Sequence, residues 1–388
     1  MASSVLIVGG GVFGMASAWE LARRGWTVTV LDSGPIPRDE AASTDISKIV
    51  RMDYGADLLY TGMAEAAMAG WDEWNRRWSP PPYHQDGFAV LTSEPMQPGS
   101  FEYESYTLLA SRGHPVTRLR DMDRRRVLPA WSAARYPDGY FNSRAGWAES
   151  GRVVALLKQE AMNAGAAIEE QSRVASVTGG ADASSGVLMA GGGTRCADVV
   201  LVAAGAWTPA LLPQLSDVMW TTGQAVIHVN AGGDRGWRAP AFPVWAADIA
   251  RTGWYGFPAL ANGTLKIGHH GAGRRIDPEA PRQVLPHEEA RVREFLRDNL
   301  PALAAAPIVQ SRLCQYCDTF DGDFWIDRDP GNGGLVVAAG DSGHGFKFAP
   351  VIGGLIADIV EGRKNRWADR FRWRTRLRDR REAARAET

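Results

Sequence analysis

Apolar and polar positions near the N-terminus follow the order expected of a nucleotide-binding unit. Residues 5–8 form a mostly β-branched apolar run that predicts a strand, residues 9–14 predict a glycine-rich turn, and residues 15–24 carry the apolar period of a helix. Residues 27–31 predict a second strand. Strand, turn, helix and strand in this order predict one βαβ unit, whose right-handed crossover makes the two strands parallel neighbours.

Two further apolar runs lie far along the chain, at residues 198–204 and 334–339, and each leads into a glycine. A continuous apolar run of this length is typical of a parallel strand that is covered on both faces. Because a sheet assembled from such distant segments needs the intervening chain to go elsewhere, we infer an inserted second domain. Alternating runs such as residues 224–229 and 252–258 predict antiparallel strands in the insert.

The predicted fold class is therefore α/β with an α+β second domain: a Rossmann-like dinucleotide-binding domain and an antiparallel-sheet substrate domain. The predicted dinucleotide-binding domain is discontinuous and comprises residues 1–84, 146–215 and 313–388. The predicted substrate-binding domain comprises residues 85–145 and 216–312.

Composition narrows the class of protein. The chain has 388 residues, a net charge of -1 and 22% charged residues, so no polyanion-binding surface is indicated and we expect no nucleic-acid partner. The basic run at residues 370–385 predicts a solvated helix or a fraying tail. Three cysteines argue against a disulfide framework and fit a reducing cytoplasm. No signal-peptide pattern and no run of ~18 apolar residues occurs, so we expect no membrane association.

The glycine turn fits the pattern G-x-G-x-x-G and is followed by Asp32 at the end of the second predicted strand. Gly9 would permit the tight turn, Gly11 would let the backbone approach a pyrophosphate, and Gly14 would let the helix pack closely on the strand. The helix N-terminus would face the phosphates, and Asp32 would accept hydrogen bonds from the adenosine ribose. The motif alone does not separate FAD from NAD, although its place near the start of the chain favours FAD.

Residues 43–54, 314–327 and 340–354, together with the glycine motif, resemble one group of proteins. They are similar to the sarcosine oxidases and fructosyl amino acid oxidases within the D-amino-acid-oxidase-like (DAO) flavoproteins, and the segment 203–207 is also typical of these flavoproteins. The resemblance covers nearly the whole chain. It implies an FAD-dependent, monomeric amine oxidase that converts the C–N bond of a secondary amino acid to an imine and reduces O2 to hydrogen peroxide.

The resemblance implies a covalent flavin. In this group the cysteine at the position of Cys314 is joined to the 8α-methyl group of FAD. The oxidised isoalloxazine makes that methyl group electrophilic, and a thiolate is the natural nucleophile. A buried free cysteine is the alternative for Cys314. We expect Cys317 to serve packing and Cys196 to be structural.

Three basic residues match substrate or flavin contacts of the group. The resemblance implies that Arg51, through its planar fork of donors, and Lys347 bind the substrate carboxylate. It places Lys48 near the flavin pyrimidine or the reacting amine. If residues 48–51 are helical, their spacing of three puts Lys48 and Arg51 on one face. Lys at position 48 favours the fructosyl side of the group.

Lys266 matches the lysine that activates O2 in this group, where its charge stabilises the anion formed by the first electron transfer. Residues 266, 268 and 270 share one face of a strand. His270 matches the sarcosine oxidase-like members and points away from the fructosyl side, so the two subgroup signals conflict. His269 is an alternative for the functional imidazole. Adjacent strand residues face opposite ways, so the two histidines predict no metal site.

Tyr255 and Tyr316 match aromatic pocket residues of the group, whereas Trp207 and Trp245 fit either a pocket or the core. The predicted catalytic residues are Lys266, His270 and Lys48. The predicted substrate-binding residues are Arg51, Lys347, Tyr255 and Tyr316. The predicted cofactor-binding residues are Gly9, Gly11, Gly14, Asp32, Ser43, Lys48, Cys314, Gly343, Gly345, Phe346 and Lys347.

Several alternatives stay open at this level. The substrate could be an N-methyl, fructosyl or cyclic amino acid, or a larger biosynthetic amine such as saccharopine. A flavin-dependent dehydrogenase that passes electrons to a quinone or a protein acceptor would use the same site residues, but Lys266 would not activate O2. A flavin-binding scaffold without activity would leave Arg51 and Lys347 without a role.

Overall fold

The structure, a computed structural model, describes residues 2–121, 128–179, 185–376, 379–380 and 383–386. The longer helices are α1 Val12–Arg23, α2 Leu58–Arg77, α3 Phe101–Ser111, α4 Ser150–Asn163, α5 Pro286–Asn299 and α6 Ala349–Val360. Short helices span Thr208–Leu211, Ile249–Thr252 and Ala368–Phe371. Single 3-10 turns span Leu119–Asp121, Gly205–Trp207, Pro213–Leu215, Arg235–Trp237, Pro301–Leu303 and Phe346–Phe348.

The strands of the first half are β1 Ser4–Val8, β2 Thr27–Leu31, β3 Lys48–Val50, β4 Tyr83–His84, β5 Phe88–Thr92, β6 Val116–Arg118, β7 Asp138–Asn142, β8 Gly146–Ala148, β9 Ala167–Glu169, β10 Val174–Thr178 and β11 Ser185–Met189. Those of the second half are β12 Thr194–Ala197, β13 Val199–Val202, β14 Met219–Asn230, β15 Val244–Ala247, β16 Trp254–Gly256, β17 Thr264–His269, β18 Arg274–Arg275, β19 Ile308–Thr319, β20 Trp325–Asp329 and β21 Asn332–Ala339.

The first sheet has the order β20-β21-β13-β1-β2-β9, and all neighbours are parallel except β20 and β21. Alternate residues of β1 enter two different cores: Ile7 packs with α1 and α6, whereas Leu6 and Val8 pack on the opposite face. The sheet is thus covered on both faces, which is why its strands read as continuous apolar runs. The predicted assembly of distant runs into one parallel sheet is confirmed.

The second sheet is mainly antiparallel, with the order β18-β14-β17-β16-β15-β5-β7-β6, and β19 pairs along the length of β14. Its core contains Trp131, Trp245 and Phe295, the last from α5. The predicted run 224–229 lies within β14, and the run 252–258 contains β16. The two kinds of sheet confirm the predicted fold class, whereas the exact domain boundaries stay a prediction.

The strand pair β14–β19 connects the two sheets. Near its end, β19 contributes Cys317 to the core cluster that covers the first sheet, together with Met219 from the start of β14. Tyr316, the preceding residue, belongs to a separate small cluster with Cys314. The alternation of side chains along β19 therefore directs Cys314 and Tyr316 away from that core.

Several predicted boundaries are corrected. Helix α1 begins at Val12 rather than at residue 15, so Gly14 lies in its first turn. Residues 48–50 form a strand that pairs with β8, so the helical reading of residues 48–51 is wrong. The β-branched pair at residues 49–50 favours that extended backbone.

The prediction of a solvated helix or fraying tail at the C-terminus is also wrong. After the short helix Ala368–Phe371, the described part of the run packs on the body without regular structure. Arg374 pairs with Asp321, and Ala384 and Ala386 are fully buried. Arginine in this run thus serves to bind acidic residues on the body of the protein, as Arg374 does, and not only to face solvent. Residues 377–378 and 381–382 of this run lie outside the described residues.

Candidate active site

A cavity of about 410 Å³ lies at the carboxyl ends of β1, β2, β13 and β21. The glycine turn forms one wall, and its geometry excludes side chains. Gly9 has φ +106°, and a Cβ there would come within 2.5 Å of the Ala203 carbonyl oxygen. A Cβ on Gly14 would lie 1.9 Å from the Gly9 carbonyl oxygen. These two glycines are therefore required by the backbone itself.

The start of α1 faces this cavity. The Val12 N–H donates to Ser43 Oγ at 3.1 Å, and a Cβ on Gly11 would lie 3.1 Å from the same oxygen. Asp32 accepts from the Gly10 N–H at 2.7 Å and also lines the cavity. Burial raises the pKa of Asp32, although its backbone hydrogen bonds oppose the shift. The turn, the helix start and the carboxylate thus form the arrangement that holds a dinucleotide.

A second cavity of about 80 Å³ adjoins the first. Lys48, Tyr316, Gly343 and Phe346 line both cavities and so form the boundary between them. Gly343 has φ +78°, and a Cβ there would lie 2.3 Å from the Tyr316 ring. Gly345 lines neither cavity. A Cβ on it would meet the Phe13 ring at 3.0 Å, so it serves the packing of this boundary.

The second cavity lies between the two sheets, and the structure brings all seven predicted catalytic and substrate-binding residues to it. Its apolar wall, from the second sheet and the helices beside it, consists of Phe88, Phe101, Ala246, Ile249 and Phe257. Its polar lining includes Lys48, Arg51, Tyr255, Lys266, His270, Tyr316, His344 and Lys347. Cations from three distant parts of the sequence therefore surround one small apolar space.

The three cysteines differ in their surroundings. Cys314 is fully buried, and its Sγ lies 3.9 Å from Lys48 Nζ. It packs against Ala42, which lines the first cavity, although Cys314 itself is not part of that lining. Cys317 packs in the core as predicted, and burial raises the pKa of its thiol. Cys196 is exposed on β12, so its predicted structural role is wrong.

Lys347 is held by a directed chain of hydrogen bonds. Its Nζ donates to Tyr54 Oη at 2.9 Å and to the His344 carbonyl at 2.7 Å. His344 Nε2 lies 3.0 Å from the Gly322 carbonyl, which can only accept, so Nε2 carries a proton. In the neutral ring, Nδ1 then accepts from Tyr54 Oη at 3.0 Å. The chain fixes the direction of the two Lys347 N–H donors that point to Tyr54 and to the His344 carbonyl.

Arg51 lies under the aromatic wall of the second cavity. Its guanidinium carbon is 5.0 Å from the Tyr54 ring centroid and 5.9 Å from that of Phe101. The nearby carboxylate of Asp53 is fully buried and accepts from Tyr140 Oη at 2.6 Å. Burial raises the pKa of Asp53, and the charge of Arg51 opposes that shift. Aromatic faces and this buried acid therefore accommodate the Arg51 cation.

Lys266 is fully enclosed on β17. Its Nζ lies 2.5 Å from Asp45 Oδ2, donates to the Ser47 carbonyl at 2.6 Å, and is 4.7 Å from the Phe257 ring centroid. Burial lowers the pKa of Lys266 to about 8, while the Asp45 carboxylate acts in the opposite direction.

The predicted alternation is confirmed for Lys266 on β17 and for His270, which directly follows that strand. Lys266 and His270 line the same cavity, whereas His269 turns the other way against the Trp254 ring at 5.0 Å. Arg291 lies 3.2 Å from His269 Nε2, and burial together with that cation lowers the pKa of His269 to about 4. Of the two adjacent histidines, His270 is therefore the one that lines the cavity.

The sequence reasoning missed Asp45, Tyr54 and His344. All three lie inside the blocks that carried the family resemblance, and all three are buried. Trp207 lines the first cavity, and Trp245 belongs to the core of the second sheet. Within the described residues, no group of three or more His, Cys, Asp or Glu could hold a metal ion. Among the same residues, no helix combines the length and apolarity needed to cross a membrane.

The DAO family model, whose description is FAD dependent oxidoreductase, matches residues 4–359. The chain belongs to the DAO family. DAO members with similar sequences include monomeric sarcosine oxidase from Bacillus sp. (strain B-0618), 26% identical over 364 residues that make up 92% of this chain and 91% of that protein. N-methyl-L-tryptophan oxidase from Salmonella heidelberg (strain SL476) is 27% identical over 370 residues, 94% of this chain and 96% of that protein.

Solved structures support the same DAO assignment. Fructosyl amine:oxygen oxidoreductase (Amadoriase I) from Aspergillus fumigatus superposes with a TM-score of 0.81 at 26% identity, covering 96% of this chain and 90% of that one. Family membership makes this protein an FAD-dependent oxidoreductase. The first cavity fits that cofactor because Gly9 and Gly11 line it without side chains and leave the backbone open to a pyrophosphate, while Gly14 lets α1 pack against the turn.

Proposed function

We propose that this DAO member is an oxidase of a compact secondary amino acid, which it converts to an imine while O2 is reduced to hydrogen peroxide. The observation that carries the proposal is the second cavity. Arg51, Lys347 and Lys266 surround a small apolar space whose boundary with the cofactor cavity is formed by Lys48 and Tyr316. A carboxylate, and O2 as it becomes an anion, are the reactants that such a set of cations serves.

Arg51 and Lys347 bind the substrate carboxylate. Arg51 offers a planar fork of donors, and Lys347 offers a compact charge that Tyr54 and His344 hold in place. With the carboxylate fixed, the neutral amine and its α carbon lie against the boundary with the cofactor cavity. Bound FAD supplies the hydride acceptor and the electrons that later reduce O2. The aromatic wall excludes water from this space.

The size of the cavity favours a compact substrate. About 80 Å³ accommodates about five to eight water-sized groups, because one water needs about 10–15 Å³ of such volume. An N-methyl or cyclic amino acid fits this space, whereas a fructosyl amino acid needs a cavity that extends further. His270, on the apolar side of the cavity, adds a polar contact that a small substrate could use.

Two further roles belong to this proposal. Cys314 forms the covalent bond to the 8α-methyl group of FAD, and the Lys48 ammonium at 3.9 Å is the kind of neighbour that reactive cysteines have. Lys266 promotes the reaction with O2, because a buried cation lowers the cost of transferring the first electron. We propose a monomer in the cytoplasm, with the domain ranges given by the sequence.

The decisive experiment is anaerobic bleaching of the visible flavin band. The purified protein is mixed in turn with sarcosine, N-methyltryptophan, fructosyl-valine, pipecolate, proline and saccharopine. We expect a compact secondary amino acid to bleach the band, and air to restore the colour with one equivalent of peroxide. If only fructosyl-valine or saccharopine bleaches it, the compact substrate is wrong; if none does, the substrate class is wrong.

A dehydrogenase with the same fold is separated from an oxidase by Lys266→Met. In an oxidase, the variant should still be reduced by substrate while its reoxidation by air slows by about 10²- to 10³-fold, the cost of removing one pre-organised charge. Stopped-flow absorbance measures both steps. An unchanged reoxidation rate, with fast electron transfer to a quinone, would assign the protein to the dehydrogenases.

A further inference from the structure

Three buried polar side chains from separate segments meet behind the second cavity. Asp45 Oδ2 lies 2.5 Å from Lys266 Nζ, and Asp45 Oδ1 lies 3.4 Å from His228 Nε2. His228 Nδ1 is 3.0 Å from Gln310 Oε1 on β19. The side chains of Asp45 and Lys266 are each 1% exposed and that of His228 is 2% exposed. Bulk water therefore does not reach the contacts that Asp45 makes with Lys266 and His228.

The backbone around Asp45 is fixed by the start of α4. The Asp45 N–H donates to Ser150 Oγ at 3.1 Å, and the Asp45 carbonyl accepts from the Gly151 N–H at 3.1 Å. The Ile46 N–H donates to Asp45 Oδ1 at 2.7 Å. The carboxylate is thus held towards Lys266 by contacts on both its backbone and its side chain.

The charges around the pair determine what Asp45 does. Lys48 and Cys314 face Lys266, and Lys48 and Arg312 face Asp45. Burial alone would raise the pKa of Asp45, but Lys266 and His228 outweigh it and hold that pKa well below its usual range. Burial and the charge of Lys48 both lower the pKa of Lys266 and so disfavour its protonated form. The Asp45 carboxylate, which is in contact with Lys266 Nζ, raises that pKa and favours the protonated form.

We propose that Asp45 is a positioning residue for the reaction with O2, which keeps the Lys266 ammonium protonated and fixed at the cavity while His228 holds Asp45 in turn. The inference rests on the proposed role of Lys266. In the reaction, O2 takes two electrons from reduced FAD and two protons to become hydrogen peroxide, and Lys266 ends unchanged. Its charge must be present when the first electron moves, so the group that maintains that charge controls the rate.

The test uses Asp45→Asn in the holoenzyme and begins with a direct titration. The chain has few lysines, namely Lys48, Lys158, Lys266, Lys347 and Lys364, so [15N]lysine NMR can resolve the Lys266 Nζ, and Lys266→Met assigns its signal. We expect the Nζ pKa to fall by about two units in Asp45→Asn, as an opposite charge within contact distance shifts a pKa by about one to three units. Asp45→Glu keeps the negative charge, so the Lys266 Nζ pKa in that variant should stay close to its wild-type value.

The second readout is reoxidation of flavin that has been reduced by light, which needs no amine substrate. At pH 7.5 the Lys266 ammonium of Asp45→Asn would be depleted, so reoxidation should slow by about 20-fold if the pKa falls by about two units. Reduction by substrate should slow much less. Asp138→Asn is the matched control, because it removes another buried carboxylate, one that pairs with Arg118 outside the second cavity. It should leave both the Lys266 titration and reoxidation unchanged.

An unshifted Nζ titration in Asp45→Asn overturns the inference, and so does a shift without slower reoxidation or equal slowing in Asp138→Asn. If no amine bleaches the flavin, the proposed substrate fails, but the light-driven test is unaffected. If Asp45→Asn does not fold, the reciprocal titration decides. In Lys266→Met, 13C NMR of the Asp45 carboxyl should show a raised pKa, because burial then acts without its cation; an unchanged value overturns the inference.

Discussion

At the scale of single residues, three of the cations that line the second cavity face a buried polar group. Asp45 faces Lys266, Asp53 faces Arg51, and Tyr54 accepts from Lys347. Burying a cation without such a partner would cost several kcal/mol or remove its proton. The cations were predictable because family resemblance marked them. Their partners were not, because Asp45 and Lys266 meet only through the fold.

We expect Cys314→Ala to bind FAD without a covalent bond. After denaturation and gel electrophoresis, the wild-type band should fluoresce and the variant band should not, since only the Sγ bond survives unfolding. Cys317→Ala and Cys196→Ser are the matched controls, because Cys317 lies in the apolar core and Cys196 is exposed. Both should keep the fluorescent band. Fluorescence lost from Cys317→Ala and kept in Cys314→Ala would reverse the assignment.

The rate of flavin reoxidation should depend on pH through Lys266. Its pKa in the folded protein is about 8, below the value of an exposed lysine, so the ammonium is lost as pH rises through that value. We expect reoxidation to slow by about tenfold per unit above pH 8 until other pathways dominate. Between pH 8 and the unfolded pKa, the unfolded chain binds more protons, so this group makes stability rise with pH. Stopped-flow reoxidation checks the rate; a profile that is flat from pH 7 to 10 contradicts it.

At the scale of elements, the first βαβ unit was predictable because each local signal agrees with the fold. The glycine turn, the apolar period of α1 and the acidic residue after β2 all indicate the same unit. The strand at residues 48–50 was not predictable in the same way. The spacing of three between Lys48 and Arg51 fits a helix and says nothing about pairing with β8. Lys48 and Arg51 still reach one cavity, because the extended segment passes along its edge.

We expect Gly14→Ala to destabilise the protein by about 3 kcal/mol, since its Cβ would lie 1.9 Å from the Gly9 carbonyl and α1 would have to move off the sheet. The variant should also lose FAD. Urea unfolding measures the free energy, and bound flavin is read from the visible spectrum. Gly62→Ala in α2 is the control, because its Cβ meets no atom within 4 Å. It should gain about 0.5–1 kcal/mol; an equal loss in both variants would refute the steric argument.

At the scale of the whole molecule, the sequence predicted two sheets of different kinds but not what closes the space between them. The C-terminal run is rich in arginine, and composition alone suggests a solvated tail. In the structure, Arg374 pairs with Asp321, and Arg385 pairs with Asp318 on β19. Asp321 and Asp318 lie 53 and 67 residues before their arginines, so no local pattern could have shown that the tail is bound.

The end of the tail lies against the second cavity. Arg385 donates to both oxygens of Asp318, at 2.6 and 2.7 Å, and to the Gly271 carbonyl at 2.8 Å. The Ala386 N–H donates to the carbonyl of His270, a cavity residue, at 3.0 Å. Ala384 packs in the same apolar cluster as Ile249, which lines that cavity. The tail therefore helps to confine the space available to a substrate.

Arg385→Ala should release this tail and widen the cavity. Removing one member of a buried ion pair leaves Asp318 uncompensated, so the tail contacts should open far more often than in the wild type. We expect the Ala386 amide to lose its protection in hydrogen exchange, and kcat/KM for a bulky N-substituted amino acid to rise about tenfold relative to an N-methyl one, since bulk in a confined pocket costs about 1–3 kcal/mol. Arg376→Ala, which removes an exposed pair with Asp379, is the matched control and should change neither readout. If exchange at Ala386 accelerates while the preference for small substrates stays the same, the tail is bound to the cavity wall without setting its size, and the compact substrate must be explained by the aromatic wall alone.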